Sequence, residues 1–152
     1  MPSNPPIGVP QVYPRLAYRD PSRAVAWLVR AFGLCEREGA RLGTAEGVIR
    51  MTELRLGTGL VMIGTAGPHG LESPSLLGGR NQMVMAYVDG IDAHYARAKA
   101  AGAEIVMELM DQPWGDRRYE ALDLEGHRWY FAEHVRDVPE EVWKQAASGG
   151  TA

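Results

Sequence analysis

With 152 residues and 45% hydrophobic content, the chain is long enough for one domain with a real core and leaves little room for a second independent one, although a duplicated fold of two intimately packed halves remains open. Sixteen basic residues stand against nineteen acidic ones, a formal net charge of -3, so no global field draws in a phosphate backbone or an anionic membrane, and neither nucleic acid nor membrane is an expected partner. The lone Cys35 excludes an intrachain disulfide, no segment reaches the roughly 20 apolar residues that span a bilayer, and nothing near the start reads as a signal peptide; the expected location is the cytoplasm.

In chain order, MPSNPPIGVP (residues 1–10) carries four prolines and predicts a flexible lead-in. VYPRLAY then reads as a short strand, with Pro14 tolerated at an edge, a strand start or a bulge. Asp20 before Pro21 has the form of a helix N-cap, and Ala24, Trp27, Leu28, Ala31 and Phe32 recur at helical spacing up to a stop at Gly33. Three short strands are expected at residues 34–37, 48–56 and 60–65, the last two joined by a hairpin at Gly57 and Gly59. AGPHGLESPSLLGGRN, residues 66–81, predicts a long loop.

A second round follows. Residues 82–88 read as a strand and 90–101 as an alanine-rich helix closed by Gly102, with Ile91, Tyr95, Ala98 and Ala101 on its apolar face. Strands are expected at 104–110, 119–124 and 127–134, with a loop at 111–118. PEEVWKQAA then predicts a helix of one or two turns docked by Val142 or Trp143, followed by a small-residue tail.

The second round repeats the first. AYRD, residues 17–20, recurs as AYVD, residues 86–89; at the same offset of 69 residues Ala24 lies over Ala93, Ala31 over Ala100 and Gly33 over Gly102. LRL, residues 54–56, matches LDL, residues 122–124, at an offset of 68. The expected class is therefore α+β: two βαβββ modules forming a curved mixed sheet around a central cleft. The expected division is a lead-in at 1–10, one domain at 11–134 built of modules 11–65 and 82–134 around the loop 66–81, and a short helix and tail at 135–152.

YPRLAYRDPSRAVAWLVRAFG together with QPWGDRRYEALDLEGHRWYFAEH resembles the glyoxalase, bleomycin-resistance and extradiol-dioxygenase superfamily, the vicinal oxygen chelate proteins. The aspartate-capped helix ending in AFG and the DxxGHRWxF signature are especially similar to its PhnB-like and uncharacterised glyoxalase-domain members. The resemblance implies a partly closed barrel around a cleft, a homodimer, and one of several activities: isomerase, dioxygenase, thiol transferase or metal-free sequestration of a drug.

It also implies where a metal would bind. The first ligand position of metal-using relatives falls on Tyr13, its second-half counterpart on Gln82, the terminal glutamate on Tyr130, and that glutamate's partner within Met62 to Gly64, where there is no carboxylate. Gln82 alone offers only one weak oxygen ligand, so neither the family metal site nor any other cofactor is expected. The four histidines, His69, His94, His127 and His134, show no zinc spacing. On the same alignment Tyr13, Arg15, Met62, Gln82, Val84, Tyr130 and Arg128 line the cleft as a mixed aromatic, amide and guanidinium pocket. Alternatively, the two tyrosines fill the vacated metal space and bond each other or Gln82. Trp114, beside Gly115, is a candidate ligand-stacking lid or dimer contact.

Other chemistry-bearing residues have quieter readings. Asp111, Asp116, Glu120 and Asp123 suggest acid–base work, but Arg117, Arg118 and Arg128 nearby make surface ion pairing the simpler account, with Asp123 a turn former. Cys35 lacks a positive helix terminus to activate it, and neither a serine elbow nor a phosphate loop is present. The leading functional expectation is a metal-free protein that binds an unidentified small molecule in the cleft through Tyr13, Arg15, Met62, Gln82, Trp114, Arg128 and Tyr130. The alternative is a lyase, isomerase or dioxygenase-type enzyme using polar cleft residues or an unconventional metal site, with no catalytic residue assigned. A partner-binding role for the two-module surface is a third.

Overall fold

The structure, a computed structural model, describes residues 1–149, so residues 150–152 of the expected tail lie outside it. Its elements are β1 (Arg15–Tyr18), α1 (Pro21–Phe32), β2 (Cys35–Glu36), β3 (Leu42–Gly43), β4 (Ile49–Leu56), β5 (Gly59–Thr65), α2 (Pro74–Leu77), β6 (Met83–Tyr87), α3 (Ile91–Ala100), β7 (Glu104–Asp111), β8 (Asp116–Leu122), β9 (Arg128–His134) and α4 (Glu140–Ser148). Asp20 caps α1 by accepting the Arg23 N–H at 3.0 Å, and Gly33 ends it in the left-handed conformation, φ 71°, with its N–H on the Val29 carbonyl. All five residues of the expected apolar stripe of α1 are buried. Among the described residues no helix is long and apolar enough to cross a membrane.

The repeat is a repeat of topology. In each module the last strand inserts beside the first, parallel to it, and antiparallel to the strand before it: β5 lies between β1 and β4, and β9 between β6 and β8. In the first module β2 and β3 are two short pieces pairing side by side along β4. The short β3 is absent from the sequence expectation, and β8 begins at Asp116 inside the expected loop 111–118. The loop at 66–81 contains a 3-10 turn, Pro68–Gly70, and α2; its buried Ser73 gives its hydroxyl to Glu125 at 2.6 Å.

The expected single curved sheet around a central cleft is corrected by the strand pairing. The modules form two separate sheets, β1-β5-β4-β2 with β3 on β4, and β6-β9-β8-β7; among the described residues no strand joins them, and neither is closed or strongly curled. The reason lies in the helices. α1 and α3 touch, and Phe32 at the end of α1 packs on Trp129 and Phe131 of β9 with ring centroids 5.4 and 4.8 Å apart. Both sheets turn their helix-facing sides into one shared core, in which these large rings are buried.

Polar side chains lock that core. His94 is buried; its Nε2 donates to the Phe32 carbonyl at 2.9 Å, which leaves Nδ1 to accept from Tyr119 at 2.7 Å. Burial holds the ring neutral, its pKa down to about 4. Buried Asp123 accepts from the Tyr18 hydroxyl at 2.6 Å, from the Trp129 indole at 3.0 Å and from the backbone of Glu125 and His127. His127, the tempting histidine of EGH, reaches the Ala17 carbonyl at 2.8 Å and ties the last hairpin to β1.

Candidate functional site

With their helix-facing sides buried, each sheet keeps one outer face away from the shared core. On the second sheet, strand alternation and register place Met83, Met85 and Tyr87 of β6 beside Arg128, Tyr130 and Ala132 of β9, with Glu120 and Arg118 of β8 next in the rows. Met85 and Tyr87 are 63% and 64% exposed, large apolar surfaces left to solvent on an edge strand. At one end of this face is a hollow of about 490 Å³, where Met85, Tyr87 and Tyr130 meet Trp114, Trp143 of α4, Asp116 and His134.

Asp116 organises it. One oxygen accepts the Tyr87 hydroxyl at 2.9 Å and the Trp114 indole N–H at 3.1 Å; the other takes His134 Nδ1 at 2.8 Å, and the far nitrogen of His134 meets Asp137 at 3.0 Å. The side chain of Asp116 is only 5% exposed, so the three donors substitute for the water it has lost. The bond to Asp116 raises the Tyr87 pKa, making that phenol a donor rather than a base near neutrality. Asp137 and Asp116 together raise the pKa of His134, which favours its cationic form.

The WGD corner gives this arrangement its shape. Gly115 has φ 100°, and a β-carbon there would run into the backbone oxygen of Arg136, so only glycine lets the segment after β9 cross the corner so closely. Val135 and Arg136 both donate to the Gly115 carbonyl, at 3.0 and 3.2 Å, which pins the start of the C-terminal segment beside Trp114 and brings Trp143 over the same hollow.

Along the face, the Arg118 guanidinium lies 4.6 Å from the Tyr130 ring centroid and 5.5 Å from that of Trp114, so both rings are braced by a cation. Buried Glu120 accepts Arg128 Nε at 2.7 Å and lies 3.5 Å from Arg118. Past Arg128, Gln82 lines a second hollow with Arg80, Asn81 and Met83.

The sequence-assigned residues therefore fall into two groups on two sheets. Trp114, Tyr130 and Arg128 share the second face, with Gln82 at its far end. Tyr13, Arg15 and Met62 gather on the first sheet, where Tyr13 gives its hydroxyl to Glu53 at 3.3 Å and Arg15 donates to the Met62 sulfur at 3.5 Å. Tyr13 and Tyr130 thus bond neither each other nor Gln82. Val84 packs against the core. Asp116, Glu120 and Asp123, read from sequence as surface ion pairs and a turn, are buried, because each has donors enough to offset desolvation. Tyr87, Arg118 and His134 were missed; the exposed-face alternation of β6, β8 and β9 carried the signal.

The positions that the resemblance assigns to a metal, Tyr13, Gln82, Tyr130 and the stretch from Met62 to Gly64, carry no carboxylate and do not suit a divalent ion. Tyr13 is bonded to Glu53, Met62 offers a thioether already accepting from Arg15, Tyr130 is covered by Arg118, and Glu53 is paired with Arg37. Among the described residues no three His, Cys, Asp or Glu side chains converge to hold a metal ion.

The comparisons with known proteins agree with the repeated modules. The model of the Glyoxalase/Bleomycin resistance protein/Dioxygenase superfamily matches residues 11–131, and the chain belongs to that family. It is similar to TioX of Micromonospora sp. ML1, at 43% identity and TM-score 0.67 over 82% of this chain and 98% of that one. An uncharacterised protein of Mycobacterium tuberculosis is 34% identical over 133 residues, 85% of this chain and 77% of the relative. TnmS3, an antibiotic binding protein from Streptomyces sp. CB03234, shares the fold at 15% identity and TM-score 0.62, over 81% of this chain and 93% of that one.

Proposed function

We propose that the chain binds a flat, largely apolar small molecule on the outer face of its second sheet and holds it without transforming it. The observation that carries this reading is the hollow formed by Tyr87, Trp114, Tyr130 and Trp143, in which Asp116 ties back the polar tips of Tyr87 and Trp114 and leaves their rings as the contact surface. The groups that could move a proton are committed: Asp116 has three donors, and both ring nitrogens of His134 are at carboxylates. A homodimer belongs to the proposal, since β6 is an edge strand whose free backbone edge offers a second copy a strand to pair with, while Met83, Met85 and Tyr87 stay on the ligand face; sedimentation tests it.

The test is a titration of tryptophan fluorescence with a flat neutral aromatic, anthracene-2-carboxamide. Saturable binding that weakens about tenfold in Tyr130→Ala is the expected result. Absence of saturable binding defeats the reading, and chemical conversion of the bound probe would replace a binding role with a catalytic one.

A further inference from the structure

The face that carries the aromatic hollow continues past it. Two residues along β9 from Tyr130, about 6.6 Å at the rise of a strand, is Arg128, and two along β6 from Met85 is Met83. This pair forms the floor of the second hollow, about 480 Å³, with Arg80, Asn81 and Gln82 completing it. Its lining holds two guanidinium groups, two side-chain amides and a methionine, and no carboxylate. Arg128 is paired with Glu120 through its Nε and one terminal nitrogen, and Arg80 is turned by the Gly126 carbonyl through its Nε. Those bonds fix both guanidinium planes while leaving further N–H donors on each.

From this juxtaposition we infer that the ligand is a planar aromatic acid whose ring system lies in the aromatic hollow and whose anionic group is received by Arg80, Asn81, Gln82 and Arg128. The inference rests on the reading above and adds the chemical class of ligand. The two ends of the face differ in kind. The aromatic end has one buried carboxylate, Asp116, whose oxygens are taken up by Tyr87, Trp114 and His134, so it supplies mainly stacking area. The other end supplies donors in excess of acceptors, and exposed Met83 and Met85 bridge the two with flexible apolar surface. A neutral aromatic uses only the first end; an acid spanning about 6.6 Å between ring and anion uses both.

The experiment compares anthracene-2-carboxylate with its neutral isostere, anthracene-2-carboxamide, by tryptophan fluorescence on the full chain. The carboxylate is expected to bind about tenfold more tightly, a difference typical of a charge-assisted contact. Arg80→Gln should remove most of that preference while leaving carboxamide binding unchanged, Arg128→Gln should weaken the acid more than the amide, and added salt should weaken only the acid. Arg80 is exposed, so its variant keeps the test valid even if loss of Arg128 unsettles buried Glu120. Arg50→Gln, at an exposed position on β4 of the first sheet, should change neither probe. Equal binding of acid and amide would overturn the aromatic-acid inference and leave the aromatic site standing; failure of both probes to bind would overturn the two together.

Discussion

On the outer face of the first sheet the row Arg15, Met62, Glu53 is closed by its own neighbours: Tyr13 and Arg37 hold Glu53, and Arg15 lies over Gly64, where any β-carbon would meet its guanidinium. The corresponding row of the second sheet is Met85, Tyr130, Glu120, with its buried glutamate equally paired to arginine and Tyr130 buried under Arg118, but with Met85, and Tyr87 one row along, turned to solvent. Duplication kept a buried acid in the strand before the last of each module, Glu53 on β4 and Glu120 on β8. It did not keep the surface that could meet a ligand. In the first module the arginine covers the backbone; in the second, Arg118 lies over the rings of Tyr130 and Trp114.

Several changes would break or sharpen that contrast. Asp116→Ala leaves Tyr87, Trp114 and His134 without their acceptor and should cost about 3 kcal/mol, read as a lower urea midpoint, and abolish aromatic binding; Glu53→Gln on the first face should leave binding intact. The histidine of the shared core comes next. His94 has its pKa lowered from 6.5 to about 4, so the unfolded chain takes up the proton first, and stability should fall by about 2–3 kcal/mol as pH drops through that window. Denaturation curves at neutral and mildly acid pH should show this loss in the wild type and much less of it in His94→Gln.

Trp114→Ala should weaken an aromatic probe about tenfold, whereas Tyr13→Phe, its counterpart test on the first face, should have no effect in the same fluorescence titration. The smallest effect belongs to His134, and its sign is opposite to that of His94. Its pKa is raised by Asp137 and Asp116, so its contribution is complete below the ordinary value of 6.5 and is lost as pH rises through the higher folded value. A proton NMR titration of the ring in wild type and Asp137→Asn measures the shift; the variant should titrate at lower pH.

The modules were legible because repetition and helix periodicity are local: AYRD against AYVD, and the stripe from Ala24 to Phe32, need only the chain itself. How the modules join was not. The curved sheet expected from the repeat gave way to two sheets because Phe32 finds Trp129 and Phe131, a contact between residues about a hundred positions apart that no spacing announces. Site residues divided along the same line. Alternation put Tyr130 and His134 on one side of β9, as the structure has them, but the burial of Asp116 depends on donors from β6, the WGD corner and β9 arriving together.

The insertion of each final strand between earlier ones has a temporal side. During synthesis the first sheet has every strand it needs once Thr65 has emerged, while β7 and β8 can pair only with each other and β6 must wait for β9, its one partner among the described residues. Until then the chain carries Met83, Met85 and Tyr87 on a strand with two free edges, the stretch most open to wrong pairing. The same exposed residues that suit this face to a ligand therefore make the interval before Arg128 to His134 arrives the vulnerable moment of the protein's assembly.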